Sequence, residues 1–431
     1  MSERSPLKVQ KASEVLKKRL ATAGVADAEL EAYVKPIIAD VRKRGDAALV
    51  EYTKKFDRVD LAPEDLRVTK QEIKEAYNAV SANQLSALKL MKKKVEAFES
   101  RLLKQANFVV EDGGVKVRSS TRPLQSVGCY VPGGEAAYPS TLIMTVVPAK
   151  VAGVSRIVVC SPPTADGKVN PLILVAADLC KAGEVYKVGG AQAVAALAYG
   201  TEIIKPVRKI VGPGNKYVTM AKLLVSREVA IDMPAGPSEV LILADETADP
   251  RIVALDMISQ AEHGADSIAG LVTTSEELAE NVITEVEKRV SSIHRSKTVI
   301  NALMKNGFII ICESIDDAVE FANGFAPEHL EVLVEKPAEV TEKVTCAGLV
   351  LLGRYSPVSA SDYCVGTNHV LPTGGFSRVF SGLSVLDFVR RVNFIECSKE
   401  GLLKIKGNIE VLAEAEDLPN HFRAVEGRFE P

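Results

Sequence analysis

The chain has 431 residues, 47% of them hydrophobic, with 53 basic against 56 acidic side chains and a net charge of −3. At roughly 150 residues per domain this allows about two to three domains with ample core, and the near-neutral balance leaves no footprint for nucleic acid or an anionic membrane surface. Seven scattered Cys without a CxxC pair argue against a disulfide framework or a Cys-based zinc site, and for a reducing cytoplasm.

The first ten residues are polar and lack the apolar stretch of a secretion signal. No uncharged run reaches the roughly 18–20 residues that a membrane helix needs. Residues 11–105 read as helical, because apolar side chains recur at three and four spacing in Leu16 and Leu20 and again in Tyr33, Ile37, Ile38 and Val41. Thr69 with Glu72 is a capping box ahead of Ile73, Ala76 and Val80. Lys92, Lys93 and Lys94 read as a solvated helix face. Asp112-Gly113-Gly114 marks a hairpin turn, and strands follow over 115–119 and 124–130. Strands over 156–160, 185–188 and 209–211 then alternate with helices over 171–181, 191–199 and 216–227. A second alternating block has strands over 240–244, 268–273, 308–312, 330–334 and 348–352, with helices over 251–263, 276–293, 297–305 and 316–322. From Leu383 the chain reads as helical with one strand over 392–397. Short β-branched runs separated by helices indicate βαβ units and a mostly parallel sheet. There is no internal repeat or low-complexity linker, so boundaries come from pattern changes near Gly128, Ser238 and Leu383.

Two glycine-rich turns, VGGAQ (188–192) and VGPGN (211–215), each follow a strand and open a helix, where backbone N–H groups and a helix dipole can meet a phosphate. Neither is GxGxxG and no Walker loop is present, so ordinary strand-to-helix punctuation is the competing reading. CYVPGG (129–134) is a third such loop, in which Tyr130 either stacks on a flat ring or packs half-buried. DMPAGPSE (232–239) is a stiff turn that presents Ser238 at the mouth of a strand, or simply a domain crossover. In QAEH (260–263) Gln260 and His263 share a helix face; a metal site and a capping His both fit. APEHL (326–330) sets Glu328 beside His329 just before a strand, giving either an acid–base pair or a salt-bridged loop. The stretch 359–369, with Asp362 and His369, is dense in polar groups and reads as a loop, and Glu416 and His421 lie in the tail.

Taken together these segments resemble the histidinol dehydrogenase family. The resemblance runs through most of the chain and is carried by CYVPGG (129–134), VGGAQAVAALAYGT (188–201), GPGN (212–215), DMPAGPSE (232–239), QAEHGADS (260–267), FAPEHLE (325–331), SDYCVGTNHVLPTGG (361–375) and the tail from Glu416 to His421. It implies an α/β fold of two related, incomplete Rossmann-like domains with small N-terminal and C-terminal lobes. The expected division is an N-terminal arm over 1–20, a discontinuous first α/β domain over 21–127 and 239–382, a second over 128–238, and a C-terminal lobe over 383–431 that contributes to the partner subunit's site.

The resemblance implies one zinc ion per subunit on Gln260, His263, Asp362 and His421. It implies substrate contacts from Ser238, His369 and Glu416 besides Gln260, His263, His329, Asp362 and His421. Tyr130, Gln192 and Asn215 would line an NAD site, and Glu328 and His329 would be the catalytic pair. The implied activity is the zinc- and NAD-dependent, four-electron oxidation of L-histidinol to L-histidine through bound L-histidinal, the last two steps of histidine biosynthesis. It would be performed by a cytoplasmic homodimer with shared active sites and no nucleic-acid or membrane partner. An imidazole and an amine are good zinc ligands, so the ion can act as a template for the substrate. A covalent mechanism through Cys129 or Cys364 is the rival; a reactive thiol needs an electropositive, partly exposed setting.

Overall fold

A computed structural model describes residues 6–22, 28–133 and 137–430, with the side chains of residues 20–22 left aside. The expectations that rest on Leu20, on Gly134 and on the first five residues lie outside the described residues.

Thirteen strands form three sheets among the described residues. The hairpin strands are β1 (Phe108–Asp112) and β2 (Val115–Pro123). A first parallel sheet holds β3 (Ser126–Tyr130), β4 (Arg156–Ser161), β5 (Glu184–Lys187), β6 (Lys209–Val211) and β7 (Ala230–Ile231). A second holds β8 (Glu239–Ala244), β9 (Ile268–Thr273), β10 (Phe308–Ile311), β11 (His329–Leu333) and β12 (Leu349–Leu352). Finally, β13 (Val389–Cys397) pairs antiparallel with β2, giving the small sheet β1-β2-β13.

The two parallel sheets share one topology. Their spatial orders are β5-β4-β3-β6-β7 and β10-β9-β8-β11-β12, so in each the third, second, first, fourth and fifth strands run side by side. That order reverses between the first and fourth strands, which is the switch point of a doubly wound half. The expected pair of related Rossmann-like units is therefore present. In register, Cys129 lies opposite Val211 at the first switch point, and His329 lies opposite Val240 at the second.

Four apolar clusters hold these layers. The helices Ala28–Arg44, Asp46–Phe56, Lys70–Ala79 and Ala82–Gln105 cover the two faces of the first sheet through Val34, Val41, Leu49, Met91 and Val95. The N-terminal segment belongs to the second sheet. Val9 bridges Ile309 in parallel, and Leu7 and Val15 are buried in its clusters. The capping box at Thr69 and Glu72 closes as expected, with Glu72 N–H donating to Thr69 Oγ1 at 3.2 Å.

Several elements depart from the sequence reading, among them strand β7 and the short helix Pro337–Thr341. The helix Pro139–Ala152 was not anticipated: almost every residue in it is buried, so its apolar residues surround the axis and leave no 3.6-residue stripe to read. Strand β1 was also missed, and Gly113 and Gly114 at φ 58° and 91° join it to β2. Finally, the polar stretch expected as a loop begins with a short helix, Val358–Tyr363, which carries Asp362. Its first N–H, on Val358, donates to Glu331 Oε1 at 2.8 Å, so a buried carboxylate on β11 starts a turn that propensity does not signal. Among the described residues no helix is long and apolar enough to cross a membrane.

Candidate active site

Chain direction brings two sheet edges together. The crossover 232–238 leaves the carboxyl end of β7 and enters the amino end of β8, and seven extended residues span at most about 25 Å. The carboxyl edge of the first sheet therefore faces the amino edge of the second. Cross-links hold the two edges. Thr219 Oγ1 donates to Ala235 O at 2.6 Å, Gly236 N–H donates to Thr373 Oγ1 at 2.5 Å, and Asn368 Nδ2 donates to Met144 O at 2.7 Å.

Glu328 and His329 sit at the amino edge of the second sheet, 6% and 3% exposed. His329 Nδ1 lies 3.1 Å from the carbonyl of Glu239, which fixes the tautomer with the proton on Nδ1. Its other nitrogen, Nε2, is buried and has no hydrogen-bond partner among the described residues. Glu328 Oε2 lies 3.6 Å from His329 Nδ1 and accepts the Glu239 N–H at 2.7 Å. One backbone residue, Glu239, thus holds both members of the pair. Burial alone pushes His329 down, but the Glu328 carboxylate, with Asp362 adding to it, outweighs burial and holds the imidazole at about 9. Burial raises Glu328 above the usual carboxylate range despite the neighbouring imidazole. The pair therefore keeps a proton into the alkaline range.

Of the other expected substrate and metal groups, Asp362 acts on the charge of His329, and His329 and His263 act on that of His369. Gln260 is the penultimate residue of the helix Pro250–Ala261; it is 3% exposed, and its Nε2 has no partner among the described residues. His263 follows that helix and is exposed. Asp362 accepts His369 Nδ1 on its backbone carbonyl at 3.0 Å, and its side chain lies 3.8 Å from the same ring. His369 Nε2 meets Thr141 Oγ1 at 3.3 Å, and burial lowers the pKa of this ring. Ser238 is half-buried at the mouth of β8. Glu416 and His421 are exposed on the C-terminal helices, apart from the buried group.

Among the described residues no three His, Cys, Asp or Glu side chains converge as a metal group. A carboxamide oxygen, an imidazole and a carboxylate from Gln260, His263 and Asp362 nonetheless make a donor set suited to a divalent cation.

At the facing edge, Tyr130 closes β3 and is 4% exposed, with its hydroxyl accepting the Gly190 N–H at 3.2 Å. Burial raises its phenol to about 12. Gln192, in the first turn of the helix Gly190–Tyr199, is 1% exposed, and neither of its amide atoms has a partner among the described residues. Asn215 caps the helix Lys216–Val225, accepting from Tyr217 N and Val218 N at 3.0 and 3.1 Å. Gly212, at φ 116°, passes so close that a Cβ would run into the Tyr130 carbonyl, so no other residue fits this turn. The turn is tied down by Asp232. Its Oδ2 accepts the Gly212 N–H at 2.7 Å, and its other oxygen pairs with Lys222 Nζ in a fully buried salt bridge. Cys129 lies under this edge, wholly buried, and burial raises its thiol to about 12. That setting is the opposite of a reactive thiolate's.

Sequence reasoning missed four groups near the cleft. Arg19 and Glu239 form a buried ion pair beside Glu328 and His329. Glu331 lies two residues beyond His329 and Asp256 one turn before Gln260; burial raises both above the usual carboxylate range, and the Asp256 charge pushes Glu331 further up. An acid opening the apolar strand Glu239–Ala244 was the one available signal.

Comparison with known proteins agrees along almost the whole chain. A family model described as histidinol dehydrogenase matches residues 20–429. A histidinol dehydrogenase of Methanosarcina mazei is 44% identical over 423 residues, 98% of this chain and 97% of that protein. One from Clostridium acetobutylicum is 47% identical over 406 residues, 94% of each chain. The crystal structure of histidinol dehydrogenase from Elizabethkingia anophelis superposes with a TM-score of 0.89 at 41% identity, covering 93% of this chain and 92% of that one.

Proposed function

This chain belongs to the histidinol dehydrogenase family and is an oxidoreductase; we propose that it oxidises L-histidinol to L-histidine through bound L-histidinal, with NAD as acceptor. The observation that carries this reading is the imidazole of His329, with Nδ1 tied to the Glu239 carbonyl and a buried, unpartnered Nε2.

In the first oxidation His329 Nε2 takes the hydroxyl proton of the substrate as hydride leaves the carbinol carbon, and Glu328 stabilises the imidazolium so formed. In the second, Glu328 accepts a proton from water as the water oxygen bonds to the aldehyde carbon, and the resulting hydrate anion loses hydride to the second acceptor and a hydroxyl proton to His329, which has by then lost its first proton, leaving the carboxylate. Tyr130, Gln192 and Asn215 would line the NAD site, and NAD would supply the hydride acceptor, two for each histidine formed. Gln260, His263 and Asp362, with a His421 reaching over from the second copy of a homodimer, would hold a zinc ion, which would supply a Lewis-acidic template for the imidazole and amine of the substrate. Ser238, His369 and Glu416 contact the substrate directly. Facing sheet edges support this reading, because hydride transfer would need the nicotinamide and the carbinol carbon close together.

The shared-site dimer is supported by apolar side chains left open on the small sheet and the tail helices, among them Val110, Ile395, Leu403, Val411 and Leu412, each more than half exposed. Free thiols and the biosynthetic role fit a cytoplasmic enzyme. A substrate panel tests the reading. L-Histidinol supports NADH formation, whereas an amino alcohol without the imidazole is turned over poorly; equal rates on both would remove the template role.

A further inference from the structure

We infer that Arg19, on the N-terminal helix Ala12–Thr22, and Glu239, at the start of β8, are a positioning pair that holds Glu328 and His329 in their reactive geometry. The inference rests on the reading just given and adds to it two residues outside the expected site.

Arg19 is 4% exposed and Glu239 2% exposed. They meet as a two-pronged pair, with Nη1 on Oε1 at 2.5 Å and Nη2 on Oε2 at 2.7 Å. A buried pair of this kind adds little net stability, so its contribution lies in what it organises. The guanidinium also donates through Nε to Phe325 O at 3.1 Å and through Nη2 to Ala326 O at 3.2 Å, while its plane lies 4.2 Å from the Phe325 ring centre. Those carbonyls end the helix Ile315–Phe325, where a cation is favoured.

Ala326 itself sits at φ 51°, a left-handed conformation that costs an alanine free energy and needs holding. Its carbonyl is gripped from two sides, by Arg19 and by Ser377 Oγ at 2.9 Å. Glu328 follows two residues later. From the other side, the Glu239 carboxylate accepts Glu328 N–H at 3.3 Å and Gly374 N–H at 2.9 Å. The Glu239 main chain supplies the N–H that fixes the Glu328 carboxylate and the carbonyl that fixes the His329 tautomer. Glu239 thus fixes both side chains of the catalytic pair, and Arg19 holds the carbonyls of the turn that delivers it. Arg19 comes from the far end of the sequence, 309 positions before Glu328, so only folding assembles this support.

The test compares the parent holoenzyme with Arg19→Met, Arg19→Met/Glu239→Gln and Arg19→Lys. Arg19→Met strands a buried carboxylate and lowers the Tm. The double variant removes both charges and recovers most of that Tm, yet its kcat stays down by roughly tenfold or more, because misplacement on the ångström scale is enough for such a loss. The KM for NAD, bound at the other sheet edge, changes less than about twofold. Arg19→Lys keeps the charge without the fork, so it folds with kcat reduced several-fold. A double or lysine variant with the parent's kcat overturns the inference, as does a kcat loss that merely follows Tm across the set. A parent inactive on histidinol overturns the functional reading beneath it; an active parent with equally active variants overturns the positioning role alone.

Discussion

Replacing His329 by Asn separates the chemical role of the imidazole from its structural one. The Asn carboxamide nitrogen can still donate toward the Glu239 carbonyl that Nδ1 now meets at 3.1 Å. A neutral hydrogen bond of about 1 kcal/mol is therefore kept, and the fold loses little. What disappears is the buried Nε2, which has no hydrogen-bond partner among the described residues. General-base catalysis is worth about 10²–10⁴-fold, which at about 1.36 kcal/mol per decade is roughly 2.7–5.4 kcal/mol of transition-state stabilisation. The variant should bind zinc and histidinol close to normally, measured by metal analysis and calorimetry, while NADH formation from both histidinol and histidinal falls by that factor. Turnover within about threefold of the parent would refute the assignment of His329 as the base.

Glu328→Gln should slow oxidation of added histidinal more than oxidation of histidinol, because only the second step needs activated water; equal loss in both would argue against that role. The base must be neutral to act, and His329 is held at about 9, so kcat/KM should climb by roughly tenfold per unit up to about pH 9, and a flat profile from 7 to 9 would contradict it. The same shift, from 6.5 to about 9, stabilises the fold below pH 6.5, and that contribution is lost as pH rises through about 9. Lys222→Met leaves the Asp232 carboxylate buried beneath the Gly212 turn and should cost about 3–5 kcal/mol in denaturant unfolding, largely restored by adding Asp232→Asn. Deleting the tail after Lys399 removes His421 and Glu416, so zinc and activity should be lost together while the parallel sheets stay folded by circular dichroism; a truncated, active chain would show that the tail is no part of the site.

Much of this was legible because it is local in sequence. Glu328-His329 and the glycine turn ahead of Asn215 are short motifs at strand ends, and the βαβ rhythm gives both parallel sheets almost strand for strand. The support of the site was not legible, for the opposite reason. Arg19 reads as one more cation on an amphipathic helix, and only the packing of that helix against the second sheet brings it to Glu239. The helix Pro139–Ala152 escaped notice because it is apolar on every side, and the turn carrying Asp362 because a tertiary contact, Val358 to Glu331, starts it. Periodicity reports on surfaces half in water and is silent about elements wholly inside.

The most direct measurement of the central claim is the stoichiometry of a limiting amount of L-histidinol run to completion with the zinc-loaded protein and excess NAD. The account predicts two NADH for each histidinol consumed, L-histidine as the product, and no histidinal escaping to an external trap. One NADH with free histidinal, or no NADH at all, would contradict it.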